Sequence, residues 1–150
     1  MIQAARSEVD GLIVANGGEL TDARICELAQ SGIPLVLVDN HVLGQELHCV
    51  VVDNVGAGYL ATRHLIELGH RRIAILAGPR RYRNLVDRLN GYLEALTEAG
   101  IPIDSTLILP PPAYEEQKGV AQTQALLGMP DRPTAVVAIS DKTAFGALAV

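Results

Sequence analysis

The chain has 150 residues, of which 49% are hydrophobic, 3% are aromatic and none is tryptophan. A chain of this length and apolar content can bury a core, and the scarcity of aromatic residues predicts that the core is aliphatic. Twelve Lys and Arg residues against 17 Asp and Glu residues give a net charge of −5, which argues against a segment that grips a nucleic-acid backbone by itself.

The first half of the chain alternates short apolar runs with amphipathic segments. This pattern predicts strands at 12–15 and 35–38, a helix over 20–31, and a third strand reached through 45–52. The third strand contains the β-branched run Val50–Val52, which is typical of a strand covered on both faces. Asp53 and Asn54 follow it, and both side chains can accept hydrogen bonds from the free N–H groups of a helix start.

A helix and a further strand follow this run with almost no linker. Apolar residues recur at helical spacing from Leu60 to Leu68, Gly69 supplies a left-handed helix end, and 73–77 is an apolar run. The stretch 50–78 therefore predicts a strand–helix–strand crossover unit with parallel strands.

The second half of the chain repeats this alternation of strands and helices. It predicts helices over 85–99, over 115–127 and from residue 142 onward, with strands at 106–109 and 135–139. Pro110–Pro112 form a stiff loop, because three fixed φ angles in succession continue neither a helix nor a central strand. The alternation predicts an α/β fold with parallel sheets.

Short motifs in a fixed order carry a more specific signal. They read DN at 53–54, HLI at 64–66, LGHR at 68–71, GP at 78–79, RLNGY at 88–92, GIP at 100–102, RPTA at 132–135 and SD at 140–141. Together they resemble the effector-binding core of LacI/GalR-type bacterial transcription regulators over nearly the whole chain. The resemblance implies a periplasmic-binding-protein-like type I fold, in which residues 1–69 are part of the N-terminal lobe and residues 70–150 are part of the C-terminal lobe.

The resemblance also implies partners. We expect an incomplete two-lobe core whose helix-turn-helix DNA-binding domain lies outside this chain, so that operator DNA is bound through that missing N-terminal domain. The expected ligand is a small-molecule effector, a sugar or related metabolite, and the expected assembly is a homodimer in the cytoplasm with no membrane partner. Cys26 and Cys49 are interpreted as small buried thiols of a reducing compartment.

Ligands of parallel α/β sheets bind beyond the carboxyl ends of the strands, where loops and helix starts present polar groups. In the resembled family the positions that match Arg88, Tyr114 and Asp141 line the effector cleft, and Asn84 lies nearby. These residue types suit a polyhydroxylated ligand: a guanidinium donates several hydrogen bonds, a carboxylate accepts two hydroxyls, and an aromatic face covers the apolar side of a sugar ring.

Each of these residues has a structural alternative. Arg88 could pair with Asp87 or Glu94 on a solvated helix face. Asp141 could serve only to cap a helix, and Tyr114 could simply pack on the proline loop.

Other functional classes find little support. Residues 56–61 read GAGYLA and fit a dinucleotide-binding pattern, but two polar residues separate the glycines from the strand and the next strand ends without a carboxylate. Histidines and cysteines lie at no metal-ligand spacing, and no catalytic motif is present, so we expect no cofactor, no metal and no enzymatic activity. A sugar-binding protein of a transport system is the alternative, although the string HLIELGHRRIA at 64–74 favours a regulator.

Overall fold

The computed structural model describes residues 9–15, 20–42, 44–112 and 119–150. Its strands are β1 (Leu12–Ala15), β2 (Leu35–Val38), β3 (His48–Val50), β4 (Ile73–Leu76), β5 (Ile108–Leu109) and β6 (Ala135–Ala138). Its helices are α1 (Asp22–Ala29), α2 (Asn54–Glu67), α3 (Arg83–Glu98), α4 (Val120–Leu127) and α5 (Asp141–Leu148), and a 3₁₀ turn spans Ser105–Leu107. Along the described parts of the chain, no helix is long and apolar enough to cross a membrane.

The strands form two parallel sheets, with the orders β1-β2-β3 and β5-β4-β6. The predicted α/β fold with parallel sheets is confirmed. The chain divides into two compact units: the described part of residues 1–52 with residues 81–84, and residues 53–80 with residues 85–150. A lobe boundary between residues 69 and 70 stays a prediction.

The first unit covers one face of its sheet with α1. Ile25 of α1 is fully buried against Leu35 and Leu37 of β2. The alternate residue Ile13 of β1 points away from this core and is 79% exposed. Within the described residues, this sheet therefore has one buried face, on the side of α1.

The interpretation of Val50–Val52 as a strand covered on both faces is wrong for this structure. The strand ends at Val50, and all three valines are at least half exposed. Cys49 of the same strand is exposed too, so its interpretation as a buried thiol is also wrong. Branching at Cβ restricts a side chain to extended backbone wherever that backbone lies. It does not supply a covering layer, so the run indicated a local conformation and not burial.

The second unit buries its central strand on both faces. Ile73 and Ile75 of β4 pack with Tyr92 and Leu96 of α3, while the alternate residues of β4 pack toward α4. The hydroxyl of Tyr92 donates to the carbonyl oxygen of Ile73 at 2.8 Å, and burial raises the pKa of this phenol to about 12. A parallel strand covered on both faces is a continuous apolar run, as residues 73–76 are.

The predicted strand–helix–strand unit over 50–78 forms differently. Its helix α2 is present, but β3 pairs in the first sheet and β4 pairs in the second. A crossover unit requires both strands in one sheet, so that prediction is wrong. The local pattern specifies the element types, whereas strand partners are determined by contacts far apart in sequence.

The helix ends follow the sequence signals. The side chain of Asp53 accepts a hydrogen bond from the Gly56 N–H at 2.8 Å and caps α2. Gly69 and Gly100 follow α2 and α3 with φ angles of +94° and +64°, the left-handed conformation expected of helix-ending glycines. The predicted strand at 106–109 is shorter, because its first part forms the 3₁₀ turn.

Helices α2 and α3 cross with their backbones in contact. A Cβ atom built on Gly58 would lie 2.0 Å from the carbonyl oxygen of Arg88, and one built on Gly91 would lie 2.0 Å from that of Val55. Only glycine fits at either position without a shift of backbone. The crossing brings the second turn of α3, which carries Arg88, against the first turns of α2.

Candidate ligand-binding site

Arg88 is held by two elements of the second unit. Its Nε donates to Oδ1 of Asn54 at 2.9 Å, and its Nη1 donates to the carbonyl oxygen of Ile139 at 3.0 Å. Asn54 is the first residue of α2 and is only 6% exposed, and Ile139 directly follows β6. These bonds fix the guanidinium at the carboxyl edge of the second sheet. No ion pair within the described ranges joins Arg88 to Asp87 or Glu94.

A cavity of about 250 Å³ adjoins this guanidinium. One wall consists of the small residues Ala57, Gly58 and Ala61 of α2, and the other of residues 137–141 and 144. The structure therefore places Arg88 and Asp141 at one cavity of the second unit.

Asp141 is the first residue of α5 and is exposed. The preceding Ser140 is the N-cap, because its Oγ accepts from the Thr143 N–H at 3.4 Å and lies 3.0 Å from Oγ1 of Thr143. Ser140, and not Asp141, is therefore the residue that caps this helix. Its carboxylate lies at a helix N-terminus, where negative charge is favoured.

Asn84 belongs to the first unit. Its Nδ2 donates to Oδ2 of Asp39 at 2.7 Å, and Asp39 directly follows β2. The φ angle of Asp39 is +53°, a left-handed conformation that is uncommon for residues other than glycine and that occurs often at functional sites. The only sequence signal for Asp39 was its position as a polar residue directly after a predicted strand.

The remaining predicted residue, Tyr114, lies outside the described residues. In the loop after β4, the guanidinium of Arg81 lies 4.7 Å from the ring centroid of Tyr82, and its Nη2 donates to the Tyr82 hydroxyl at 3.0 Å. This contact engages Arg81 locally with its neighbour. In the described ranges, no group of three or more His, Cys, Asp or Glu residues could hold a metal ion.

Sequence reasoning missed the partner of Arg88. The sequence marks Asn54 as a polar residue between a strand end and a helix start, and it does not indicate that Asn54 contacts Arg88. The amide becomes part of the site only because α2 and α3 cross at Gly58 and Gly91. No pattern along the chain could have identified that contact.

The sequence matches known proteins along its whole length. The family described as periplasmic binding proteins and sugar binding domain of LacI family matches residues 1–150. The transcriptional regulator DegA of Bacillus subtilis, described as HTH-type, is 33% identical over 145 residues, which are 95% of this chain and 42% of that protein. The ribose operon repressor of Haemophilus influenzae is 38% identical over 140 residues, which are 93% of this chain and 41% of that protein.

A solved structure supports the same family. A complex of the transcriptional regulator CelR with cellobiose superposes with a TM-score of 0.84 at 38% identity, covering 99% of this chain and 45% of that one. The chain spans less than half the length of the curated relatives described above. From the match over all 150 residues, the chain belongs to the family of periplasmic binding proteins and sugar-binding domains of the LacI family.

Proposed function

We propose that this chain is the effector-sensing core of a DNA-binding transcription regulator and that it binds a sugar or a related metabolite through Arg88 and Asp141. The observation that carries the proposal is the fixed position of the Arg88 guanidinium, which Asn54 and the Ile139 carbonyl hold beside the cavity. Asn84 and Tyr114 complete the proposed ligand contacts.

The chemistry of the cavity suits hydroxyl groups. Arg88 has five N–H groups, of which two donate to partners among the described residues, and we propose that others donate to ligand oxygens. The carboxylate of Asp141 accepts from hydroxyls, and the apolar walls provide contact for C–H groups. Pockets for drug-sized ligands have volumes of about 300–1,000 Å³. A cavity of about 250 Å³ therefore holds a small ligand or one end of a larger one.

The relatives support regulation and not transport. DegA is named a transcriptional regulator, the Haemophilus influenzae protein is named an operon repressor, and CelR has been solved with cellobiose. We propose by analogy a homodimer in the cytoplasm, with operator binding through a helix-turn-helix domain outside this chain and no catalytic activity. A sugar can change operator affinity only by binding two conformations of the regulator with different affinities.

Replacing Arg88 tests the ligand site. In the full-length protein, Arg88→Ala should weaken sugar binding by about 1.5–3 kcal/mol, the range for lost charge-assisted hydrogen bonds, and should leave operator affinity without sugar nearly intact. Calorimetry against a panel of mono- and disaccharides that includes cellobiose measures the first effect, and DNA titration measures the second.

Arg132→Ala is the matched control, because Arg132 is exposed in the segment that precedes β6, at the opposite edge of the sheet. It should leave sugar affinity unchanged. An Arg88→Ala protein that binds the sugar as tightly as the wild type would contradict the assignment of Arg88.

A further inference from the structure

The cavity beside Arg88 has one wall on helix α2. Of the residues that line it, Ala57, Gly58 and Ala61 belong to this helix, and residues 137–141 and 144 form the facing wall. Ala57 and Ala61 are four positions apart, so their methyl groups lie on the same face of α2. The α2 wall therefore carries no side chain larger than a methyl group.

Packing explains the small size of Gly58 but not that of the two alanines. A Cβ atom on Gly58 would lie 2.0 Å from the carbonyl oxygen of Arg88, so that position requires glycine. Ala57 and Ala61, in contrast, are exposed, and the space that adjoins them is the cavity itself. Leucine is close to alanine in helix propensity, so helix formation does not require alanine at either position. What the two small side chains do provide is the open cavity beside the guanidinium.

The two walls and the charged groups differ in what they can bind. Arg88 and Asp141 line the same cavity, and among the residues that the structure describes they form no ion pair with each other. A ligand held by these two groups places its remaining surface against the walls. A wall of methyl groups can cover C–H groups, whereas it would leave a hydroxyl without a hydrogen bond. The α2 wall therefore suits the C–H groups of a sugar ring.

We propose that Ala57 and Ala61 are specificity-determining residues of the ligand site, which keep the cavity wide enough for one sugar ring and contact the C–H groups of that ring. This role rests on the proposed function above, because it concerns the same ligand. Arg88 and Asp141 bind the hydroxyls, whereas the two alanines select the ligand by its size.

The test enlarges the α2 wall in the full-length protein. Ala61→Val and Ala61→Leu narrow the cavity in two steps, and Ala57→Leu narrows it from the other methyl group. Ala125→Leu is the matched control, because Ala125 is exposed on α4 and does not line the cavity. Calorimetry measures affinity for pairs of sugars that differ by the exocyclic CH₂OH group: glucose with xylose, galactose with arabinose, and cellobiose with xylobiose. Thermal unfolding without sugar is measured for every variant.

For a hexose-based sugar that wild type binds, Ala61→Leu and Ala57→Leu should each weaken binding by at least about tenfold, and Ala61→Val should weaken it less, because a few added carbon atoms overfill a fitted apolar site. The smaller, pentose-based partner should lose less affinity, so the ratio of the two affinities should fall as the side chain at position 61 grows. A general disturbance of α2 would weaken both sugars alike. Ala125→Leu should bind as wild type does, and all three leucine variants should unfold at the wild-type midpoint.

Unchanged affinity in Ala61→Leu and Ala57→Leu, or equal losses for the two sugars of a pair, would overturn the selection by size. The sugar-binding function would survive that result if Arg88→Ala still weakens binding. A lowered unfolding midpoint of Ala61→Leu would also overturn the inference, because Ala61 would then be packed against another part of the full-length protein. If wild type binds none of these sugars, the sugar-sensing function fails and the role of the two alanines fails with it.

Discussion

The two sheets have three parallel strands each, yet they bury those strands to different extents. In the second sheet, all four residues of β4 are buried, and Ile75 has no exposed surface. In the first sheet, all three residues of β3 are exposed, and Val50 is 64% exposed. The difference lies in position and in the helices: β4 is the central strand of its sheet and has α3 and α4 on opposite faces, whereas β3 is an edge strand and α1 packs on the central strand β2.

The comparison shows that short apolar strands of similar sequence support the candidate site in different ways in the two units. In the second unit they form a packed support from which Arg88 and Asp141 extend, so these side chains are attached to a rigid element. In the first unit, the contact at the strand end is the hydrogen bond between Asn84 and Asp39. We therefore expect substitutions in β4 to have much larger effects on stability than substitutions in β3.

The largest expected effect is the loss of stability on truncating a buried residue of β4, compared with truncating an exposed residue of β3. Ile75→Ala should lower the free energy of unfolding by about 2–5 kcal/mol, because it opens a cavity between two packed layers. Val50→Ala removes a side chain that is mostly in solvent, and should cost less than about 0.5 kcal/mol. Urea unfolding of the full-length protein, followed by far-ultraviolet circular dichroism, measures both values. Equal losses would mean that the exposed face of β3 is covered in the full-length protein.

Local sequence predicted much of this architecture. The limits of β1 and β2 agree with the predicted strands at 12–15 and 35–38, since each is a short apolar run bounded by polar residues or by glycine and proline. Helix caps such as Asp53 also follow from local chemistry. The separation of β3 and β4 into two sheets could not be predicted from the local pattern, because strand pairing is decided by long-range contacts; only the family resemblance, which assigns residues 1–69 and 70–150 to different lobes, implied it.

The residues of the candidate site were also only partly predictable from the sequence. Arg88 and Asp141 were predicted as ligand residues from a motif resemblance, and the structure places both at one cavity. Asn54, which holds Arg88, carried only the signal of a polar residue at a helix start. Its use as the partner of Arg88 depends on the crossing of α2 and α3, and amides occur equally in solvated helix positions.

The helix crossing of the second unit should show an intermediate effect. Gly91→Ala places a methyl group against the Val55 carbonyl and should cost about 1–3 kcal/mol of unfolding free energy, despite the better helix propensity of alanine. Because the crossing holds Arg88 against Asn54, sugar affinity should fall as well. Thermal unfolding and calorimetry measure the two effects.

Gly128→Ala is the control for that substitution. The nearest atom to a Cβ on Gly128 is 3.5 Å away, and its φ angle of −80° suits alanine. It should change stability by less than about 1 kcal/mol, in the stabilising direction, with no effect on sugar affinity. A destabilisation as large as that of Gly91→Ala would show that the close contact is not the cause.

The smallest expected effect on stability comes from the ion pair between Arg72 and Asp104. In the first unit, Arg24 pairs with Glu27 within one helix, whereas in the second unit Arg72 donates to Oδ2 of Asp104 at 2.8 Å across loops at the amino edge of the sheet. The Thr106 hydroxyl and then Arg72 lower the pKa of Asp104 to about 2 from 3.8. A lowered pKa stabilises the folded state above pH 3.8, and this contribution is lost as the pH falls toward 2.

Asp104→Asn should therefore lower the free energy of unfolding slightly at pH 5, and the difference from wild type should shrink steadily between pH 4 and pH 2. Urea unfolding at pH 5, 4, 3 and 2 measures it. Because this pair lies at the amino edge of the second sheet, and the Arg88 cavity lies at the carboxyl edge, sugar affinity at pH 7 should be unchanged. A difference that stays constant down to pH 2 would show that ionisation of Asp104 is not the source, and a loss of sugar affinity would show that the two edges are coupled through the packed layers of β4.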